Sequence, residues 1–331
     1  MFLSHHFPFN ADTRHMKQLF IGNLAGLCNR LETLTLAHAL QTAYGGNIRL
    51  DWPELDALRI PFAGPGRPFW WTRRWGMKRL RNCDEAQFVA AGKLAAVELR
   101  GLHGPDERMR KTYLAIAGAF QLRRDLKTAI EQMFRSVGNR PVVGIHLRRG
   151  DFVASAGDYD TTLSGPSPML PIEWVEAAMR RCVEFWPGCV FFLSASQAEA
   201  DCARLRRNFD LVQLPVENPY ELSTPGHCAT THPIGDLFAL ACCQIIIATP
   251  ISSFSHFAAN ALGPATTCII PPQKMRPGET PLCRVDMHGQ LLSDWIRIFR
   301  QPTSSRPFDA GVLQDHASPA AVTDWIPTFG G

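Results

Sequence analysis

The chain has 331 residues, of which 46% are hydrophobic and 19% are charged, and its formal net charge is +4. This composition is typical of a globular protein, and the length is sufficient for two domains of ordinary size. No apolar run approaches the roughly 20 residues of a membrane helix, and the basic residues are too scattered for a nucleic-acid footprint. We therefore expect neither a bilayer span nor a nucleic-acid partner.

Two features bear on location: the start of the chain and its cysteines. Polar residues and Pro8 interrupt the apolar side chains of residues 1–16, so we expect a flexible leader there rather than a signal peptide. The ten cysteines include no Cys-x-x-Cys pair, which argues against a zinc site and against a disulfide framework. We expect most of them to be buried, reduced thiols and the protein to be cytoplasmic.

The chain then opens on a β-α-β pattern. Residues 17–21 form a short apolar run, leucines and alanines recur at helical spacing from Leu31 to Leu40, and residues 47–52 form a second strand-like run. This order predicts a parallel pair of strands. Asn29 and Arg30 lie in the glycine-bearing loop at the helix start, where free backbone N–H groups can bind anions, although a plain strand-to-helix turn is the more common explanation of this pattern.

The remainder of the first domain, which we place at residues 17–138, is less regular. Residues 53–105 carry Trp70, Trp71 and Trp75 among basic residues, which is typical of a lid or an acceptor-binding surface, or of aromatic anchors for a long loop. Helical spacing returns over residues 106–134.

A second domain, residues 139–300, alternates apolar strands with helices. Unbroken apolar strands of this kind predict a parallel sheet covered on both faces, and hence a Rossmann-like domain. Residues 301–331 hold few core-forming side chains, so we expect a loosely docked, extended tail. The predicted elements are strands at 141–147, 189–194, 211–214, 245–248 and 267–270, and helices at 172–185, 197–208, 236–241 and 257–262.

Charged and polar side chains cluster at the end of the predicted strand at 141–147. His146, Arg148, Arg149 and Asp151 lie at or directly after it. Ligands of open α/β sheets bind beyond the carboxyl ends of the strands, and guanidinium groups match phosphate oxygens. We therefore expect an anionic ligand here, with an ion pair at the strand end as the alternative.

A hydroxyl-rich segment offers a second phosphate-binding element. Ser252, Ser253 and Ser255 open a predicted helix, so that hydroxyls and free N–H groups face a ligand together. Asp236, just upstream, is suited to accept a hydrogen bond from a base amine or a sugar hydroxyl, although a helix N-cap explains it equally well.

Taken in order, four segments resemble the fucosyltransferase superfamily, which joins the α-1,2-, the α-1,6- (including the nodulation type) and the protein O-fucosyltransferases. The resemblance extends over roughly residues 17–270, and its most specific part is His146–Asp151. The four segments are Gly26–Leu31, His146–Asp151, Asp236–Ala241 and Ser252–Phe257.

The resemblance implies an α/β, GT-B-like fold with two Rossmann-like domains facing a central cleft. It also implies inverting transfer from GDP-fucose, bound mainly by the C-terminal domain without a metal or other cofactor, to a glycan or glycolipid acceptor, and it is compatible with peripheral membrane association. Arg148 would hold the donor diphosphate. We expect Arg148 and Asp151 to be catalytic, and the donor-binding residues to be Asn29, Arg30, His146, Arg148, Arg149, Asp236, Ser252, Ser253 and Ser255.

The general base is unassigned. The α-1,6 enzymes carry a glutamate some ten positions past the motif histidine, whereas Ala156 stands there in this chain and the nearby carboxylates are Asp151, Asp158 and Asp160. Two alternatives stay open. One is a non-catalytic nucleotide-sugar-binding protein, and the other is a metal-dependent glycosyltransferase that uses the Asp-x-Asp pair Asp158 and Asp160.

Overall fold

The computed structural model describes residues 18–68, 77–150, 152, 159–161, 167–220, 230–286, 288–294, 306–307 and 321–330. The predicted leader at 1–16 lies outside these residues. Up to residue 136 the elements are β1 Gln18–Ile21, α1 Leu27–Tyr44, β2 Asn47–Leu50, β3 Leu58–Arg59, β4 Ala63–Pro65, β5 Lys78–Asn82, α2 Glu85–Ala91, β6 Ala96–His103, α3 Asp106–Gly118, β7 Gln121–Arg123 and α4 Arg124–Ser136.

From residue 142 onward, helices again alternate with strands. The predicted helix at 172–185 is confirmed to the residue, and the predicted strands are confirmed to within a few residues at their ends. The elements are β8 Val142–Arg148, β9 Tyr159–Asp160, α5 Ile172–Phe185, β10 Val190–Ser196, α6 Glu199–Arg206, β11 Leu211–Val212, α7 Pro233–Ala241, β12 Ile245–Ile247, α8 Ser253–Asn260, β13 Thr267–Ile270, β14 Lys274–Met275, β15 Cys283–Asp286, β16 Arg306–Pro307 and β17 Thr328–Phe329.

The described residues pack as two compact units. Unit 1 takes in residues 18–24, 30–52 and 61–112, and unit 2 takes in 25–29, 53–60 and the chain from 113 onward. The sequence-based boundary at 138 falls inside unit 2, because helix α4 and strand β7 pack with the later part of the chain.

Unit 1 is built on a five-stranded sheet with the order β4-β2-β1-β6-β5. All neighbouring strands in it are parallel, including the predicted pair β1 and β2. Its central residues Leu19, Val97 and Leu99 are at most 1% exposed, as expected for a sheet covered on both faces.

Unit 2 holds a seven-stranded sheet with the order β11-β10-β8-β12-β13-β15-β16. The first five strands are parallel, and β15 and β16 extend the sheet antiparallel at one edge. Two mainly parallel sheets confirm the predicted α/β class. On one face Ile145 and Leu147 pack against Trp174 and Met179 of α5, all of them buried.

The helical spacing at 106–134 does not make one helix. It is broken after Gly118, and β7 pairs with β3 and with β17. Leu122 donates its N–H to the carbonyl of Pro327, and Arg123 donates to the carbonyl of Ala57. These long-range bonds replace the bonds that a continuous helix would make, so tertiary pairing overrides the local pattern.

The region that looked irregular, residues 53–105, contains real strands. The longest is β6, which carries Glu98 between the buried residues Val97 and Leu99. A charge in mid-strand hides the apolar pattern in the sequence, and the structure offsets it with Arg79 and Arg100, which both bond to Glu98. The tryptophans at 70, 71 and 75 lie outside the described residues.

The end of the predicted loose tail is docked. Within residues 321–330, Ile326 is 2% exposed and Trp325 stacks on Phe238 with ring centroids 5.8 Å apart. Residues 306–307 and 328–329 also pair as strands β16 and β17. The prediction of a loose tail is therefore wrong for these residues, because a few apolar side chains and backbone pairing suffice to hold a short segment.

The described cysteines are thiols, and all but Cys283 are buried. Over the described ranges, none of the helices combines the length and the apolar content that crossing a bilayer requires.

Gly144 in the middle of β8 permits close packing of the helix layer. A Cβ atom there would lie 2.7 Å from Cδ1 of Leu240 and 3.2 Å from Cβ of Cys243. We expect Gly144→Ala to lower the free energy of unfolding by about 1–3 kcal/mol, because the core has no room for the methyl group. Urea unfolding measures this effect. Gly118→Ala is the control, since a Cβ at Gly118 meets nothing within 4 Å. Equal unfolding midpoints for the two variants would contradict the packing argument.

Candidate functional site

The sheet of unit 2 reverses its strand order at β8. The chain leaves β8 for β10 and β11 on one side, then returns to β12 and β13 on the other. Ligands of open α/β sheets bind at such a switch point, outside the carboxyl ends of the two strands that flank it. Here those ends are Arg148 of β8 and Ile247 of β12.

Strand alternation divides the two arginines of the strand end between opposite faces. Leu147 lies in the core on the α5 side of the sheet. Because side chains alternate along a strand, His146 and Arg148 face the opposite side, towards α7 and α8, and Arg149 lies on the same side as Leu147. The side chain of Arg148 is half-buried, and its guanidinium carbon lies 5.3 Å from the ring centroid of Phe152.

Arg149 makes an ion pair instead. It is 5% exposed, and its Nε donates to Oδ2 of Asp201 on α6 at 2.6 Å. The structure therefore favours the ion-pair alternative for Arg149, and its assignment as a donor-binding residue stays a prediction. The pair fixes the end of β8 against α6.

Thr249 ties the ends of β8 and β12 together. Its hydroxyl donates to the carbonyl of His146 at 2.7 Å and accepts from the N–H of Arg148 at 3.2 Å. Its own N–H donates to Oγ of Ser255 at 3.2 Å. The backbone on both sides of Leu147 is thus held by one threonine, which the sequence shows only as part of a hydroxyl-rich stretch.

His146 is a buried, neutral imidazole. Its Nδ1 is hydrogen-bonded to Oγ of Ser255, and its ring stacks on Phe254 with centroids 5.0 Å apart. Burial, and secondarily the charge of Arg148, lowers the pKa of His146 to about 3. A neutral ring is suited to hold the loop after β12 in place, and a donor-binding role for His146 and Ser255 stays a prediction.

The loop that enters α8 has an unusual backbone and a spare hydroxyl. Ile251 has φ of 61°, a strained conformation for a β-branched residue. Ser252 is the N-cap of α8, but its side chain makes no cap bond, and its buried Oγ has no partner among the described residues. Ser253, half-buried, is the first residue of the helix. This loop presents hydroxyls and helix N–H groups at the switch point.

Asp236 is buried and half-satisfied. Its Oδ2 accepts from Ser194 at 3.1 Å and from Thr231 at 2.6 Å, whereas Oδ1 has no partner among the described residues. Burial raises the pKa of Asp236 to about 7, although both hydrogen bonds oppose the shift. Ser194 pairs with His146 across β10 and β8, so this carboxyl group borders the same strand ends.

Asp236 is not a helix N-cap, which corrects the alternative for it. Helix α7 begins with Pro233, and the cap is His232, whose Nδ1 accepts from the N–H of Gly235 at 3.4 Å. Burial lowers the pKa of His232 to about 4. Sequence reasoning missed His232, Thr231, Ser194 and Thr249; a proline at the first helical position was the available signal for the cap.

The N-terminal candidates have structural surroundings of their own. Arg30 is 2% exposed, and its guanidinium carbon lies 5.0 Å from the ring centroid of Trp52. Trp52 donates its indole N–H to the carbonyl of Ile21. Asn29 is half-buried in the first turn of α1. A donor-binding role for Asn29 and Arg30 remains a prediction.

Two of the acidic candidates, Asp151 and Asp158, lie outside the described residues. Asp160 is in β9, where its carboxylate pairs with Nζ of Lys274 at 2.9 Å. Within the described ranges, no three His, Cys, Asp or Glu side chains gather as metal ligands would.

Comparison with solved structures shows what this fold is similar to. The fucosyltransferase NodZ from Bradyrhizobium aligns with 16% identity and a TM-score of 0.50, over 82% of this chain and 99% of that chain. NodZ α-1,6-fucosyltransferase co-crystallised with GDP gives the same values, and the same enzyme soaked with GDP-fucose has 15% identity. No protein-family model matches the chain. No curated protein matches it either. The chain therefore shares the fold of these fucosyltransferases.

Proposed function

We propose that this protein is an inverting glycosyltransferase that transfers fucose from GDP-fucose to a glycan hydroxyl without a metal ion. The observation that carries the proposal is the switch point of unit 2, where Arg148, the Ser252 hydroxyl and the spare oxygen of Asp236 surround one pair of strand ends. The fold shared with NodZ, which was co-crystallised with GDP and soaked with GDP-fucose, supports the same assignment.

The chemistry of the site fits a nucleoside diphosphate. We assign the diphosphate to Arg148 and to the N-terminus of α8, since guanidinium groups and free helix N–H groups both bind phosphate oxygens. We assign the guanine to Asp236, whose Oδ1 is available to accept from the N–H groups of the base.

Arg148 then has a catalytic role. As the bond between fucose and GDP breaks, negative charge develops on the leaving diphosphate. A guanidinium group held on a fixed strand end stabilises that charge without reorganisation. The acceptor hydroxyl attacks the sugar carbon from the opposite side, and its proton passes to a base.

For that base we propose Asp151, because it follows the strand end directly in sequence.

We propose that the ligand binds in a cleft between two Rossmann-like domains, as in a GT-B-like arrangement. Asn29 and Arg30 would contribute from the N-terminal side. The acceptor is a glycan or a glycolipid, and peripheral membrane contact would follow from the second. The buried thiols favour a cytoplasmic location.

The test is a thermal-shift comparison of GDP, UDP and CMP sugars, followed by a GDP-release assay. We expect a rise in unfolding temperature with GDP-fucose but not with the UDP and CMP sugars, because only a ligand that binds the folded protein raises its stability. Slow release of GDP without an acceptor identifies an enzyme. Binding without any release, with or without acceptors, would favour a nucleotide-sugar-binding protein, the reading suggested by Ala156 in place of the glutamate. Release that EDTA abolishes would favour the metal-dependent reading through Asp158 and Asp160.

A further inference from the structure

A second polar cluster lies within unit 1, on the edge strand β5 and its neighbour β6. In the register of this parallel pair, Arg79 lies opposite Glu98. Arg100 follows Glu98 by two residues on β6, and Arg81 follows Arg79 by two residues on β5, where the register of the pair shifts. Arg79 and Arg100 both bond to Glu98, and all three arginines line one cavity.

The carboxylate of Glu98 neutralises only part of the positive charge of the three arginines. It is 3% exposed, and it accepts from Nε of Arg79 at 2.9 Å and from Nη2 of Arg100 at 2.8 Å. Burial alone would raise the pKa of Glu98, but the bonds from Arg100 and Arg79 outweigh burial and lower it. The glutamate is therefore ionised, and it offsets one of the three cationic charges.

The arginines line a cavity of about 460 Å³ together with Leu80 and Gln87. Nε of Arg100 is buried and has no partner among the described residues. Oε1 of Gln87 accepts from the N–H of Asp84 at 3.1 Å, so the amide NH₂ of Gln87 is available as a donor. The cavity wall is thus rich in donors.

The other acids nearby have partners of their own. Asp84 accepts from the N–H of Gln87, and Glu85 accepts from Arg108. Two of the three guanidinium groups share the single carboxylate of Glu98, so the cavity keeps a net positive charge that attracts an anion. Among the described residues that line the cavity, none carries a carboxylate that could balance this charge.

We propose that this cavity binds the acidic group, carboxylate or phosphate, of a saccharide, and that the acceptor glycan is acidic. The second half of the proposal rests on the proposed glycosyl transfer. Guanidinium forks bind both oxyanions in a bidentate manner. The volume is in the range of small-molecule sites, and the Gln87 amide adds a donor for a sugar hydroxyl. A saccharide is favoured over a lipid surface, since membrane attachment also needs an exposed apolar face and Leu80 is half-buried.

The experiment is calorimetric titration of the full chain with trigalacturonate, beside neutral chitotriose. Arg81→Gln is the informative variant, because Arg79 and Arg100 hold the buried Glu98. Lys78→Gln is its matched control: it removes the same charge from the same strand, and Lys78 is exposed at the position before Arg79, where it does not line the cavity. We expect Arg81→Gln to weaken trigalacturonate binding by about tenfold, Lys78→Gln to change it less than about twofold, and Glu98→Gln to strengthen it.

Several results would overturn the proposal: no trigalacturonate binding, equal losses in Arg81→Gln and Lys78→Gln, or inorganic phosphate alone binding as tightly as trigalacturonate. Binding of phosphatidylglycerol vesicles through Arg81 without trigalacturonate binding would assign the cavity to a membrane instead. GDP affinity is measured on the same samples. If trigalacturonate binding depends on Arg81 but the protein does not bind GDP, the anion site is supported and the proposed function is contradicted.

Discussion

Arg148→Ala is expected to lower the rate of fucose transfer by on the order of 10²-fold or more, and to abolish measurable GDP binding. The free energy of unfolding should stay within about 0.5 kcal/mol, because the side chain is half-buried at a strand end and lies outside the packed core. Calorimetric titration with GDP and a transfer assay measure the first effects, and urea unfolding measures the second.

The neighbouring residue provides a matched control. Arg149 has the same chemistry but faces α6, where it pairs with Asp201. Arg149→Ala leaves the carboxylate without its partner, and since Asp201 is 24% exposed we expect a loss of about 2 kcal/mol rather than the 3–5 kcal/mol of a fully buried pair. GDP affinity of the folded variant should be nearly unchanged. Reversed outcomes, with Arg148→Ala unfolding the protein and Arg149→Ala losing GDP, would remove Arg148 from the site.

The contrast between these two arginines shows what the sequence could predict. A β-branched run that ends in charge predicts a buried strand with a functional end, and β8 ends at Arg148 as expected. The sequence pattern also separates the two faces, because the period of a strand is two residues. It did not predict which face held an internal acid, since Asp201 is more than fifty positions away and belongs to another helix.

Other features of the site and of the fold could not be predicted from the sequence for the same physical reason. Thr249 matters through bonds to His146 and Arg148, which lie about a hundred residues earlier in the chain. The break between α3 and α4 depends on pairing with the chain's last described strand, β17. Local propensity and periodicity carry no information on partners that only folding brings together.

The second large effect concerns pH. We expect GDP-fucose affinity to rise by about threefold to fivefold between pH 6 and pH 7 and to level off above pH 8. The pKa of Asp236 is raised to about 7 by burial, so the carboxyl group is mostly neutral at pH 6 in the empty site. Guanine N–H groups donate to a carboxylate, so binding lowers this pKa and releases a proton. Affinity must therefore increase as pH rises towards the pKa of the empty site, by up to about tenfold per pH unit.

The design isolates Asp236 from other titrating groups. GDP-fucose is the probe, because its diphosphate is esterified at both ends and takes up no proton near neutral pH. Burial lowers the pKa values of His146, His232 and His256 to about 3, 4 and 4, so these rings are neutral across the window from pH 6 to pH 8. Calorimetry in two buffers of different ionisation enthalpy counts the protons released.

Asp236→Asn is the control, since it keeps the shape of the side chain and removes its ionisation. The variant should bind GDP-fucose with an affinity that does not change with pH, and that is about tenfold weaker than the parent at pH 8. Because the parent carboxyl group is already neutral below pH 7, the two proteins should differ least in acid. If the variant keeps the full pH dependence, the titrating group lies elsewhere and Asp236 does not accept from the base. If the parent releases no proton yet binds GDP-fucose, the spare oxygen of Asp236 has another role, and the guanine must be held by backbone groups of the same strand ends.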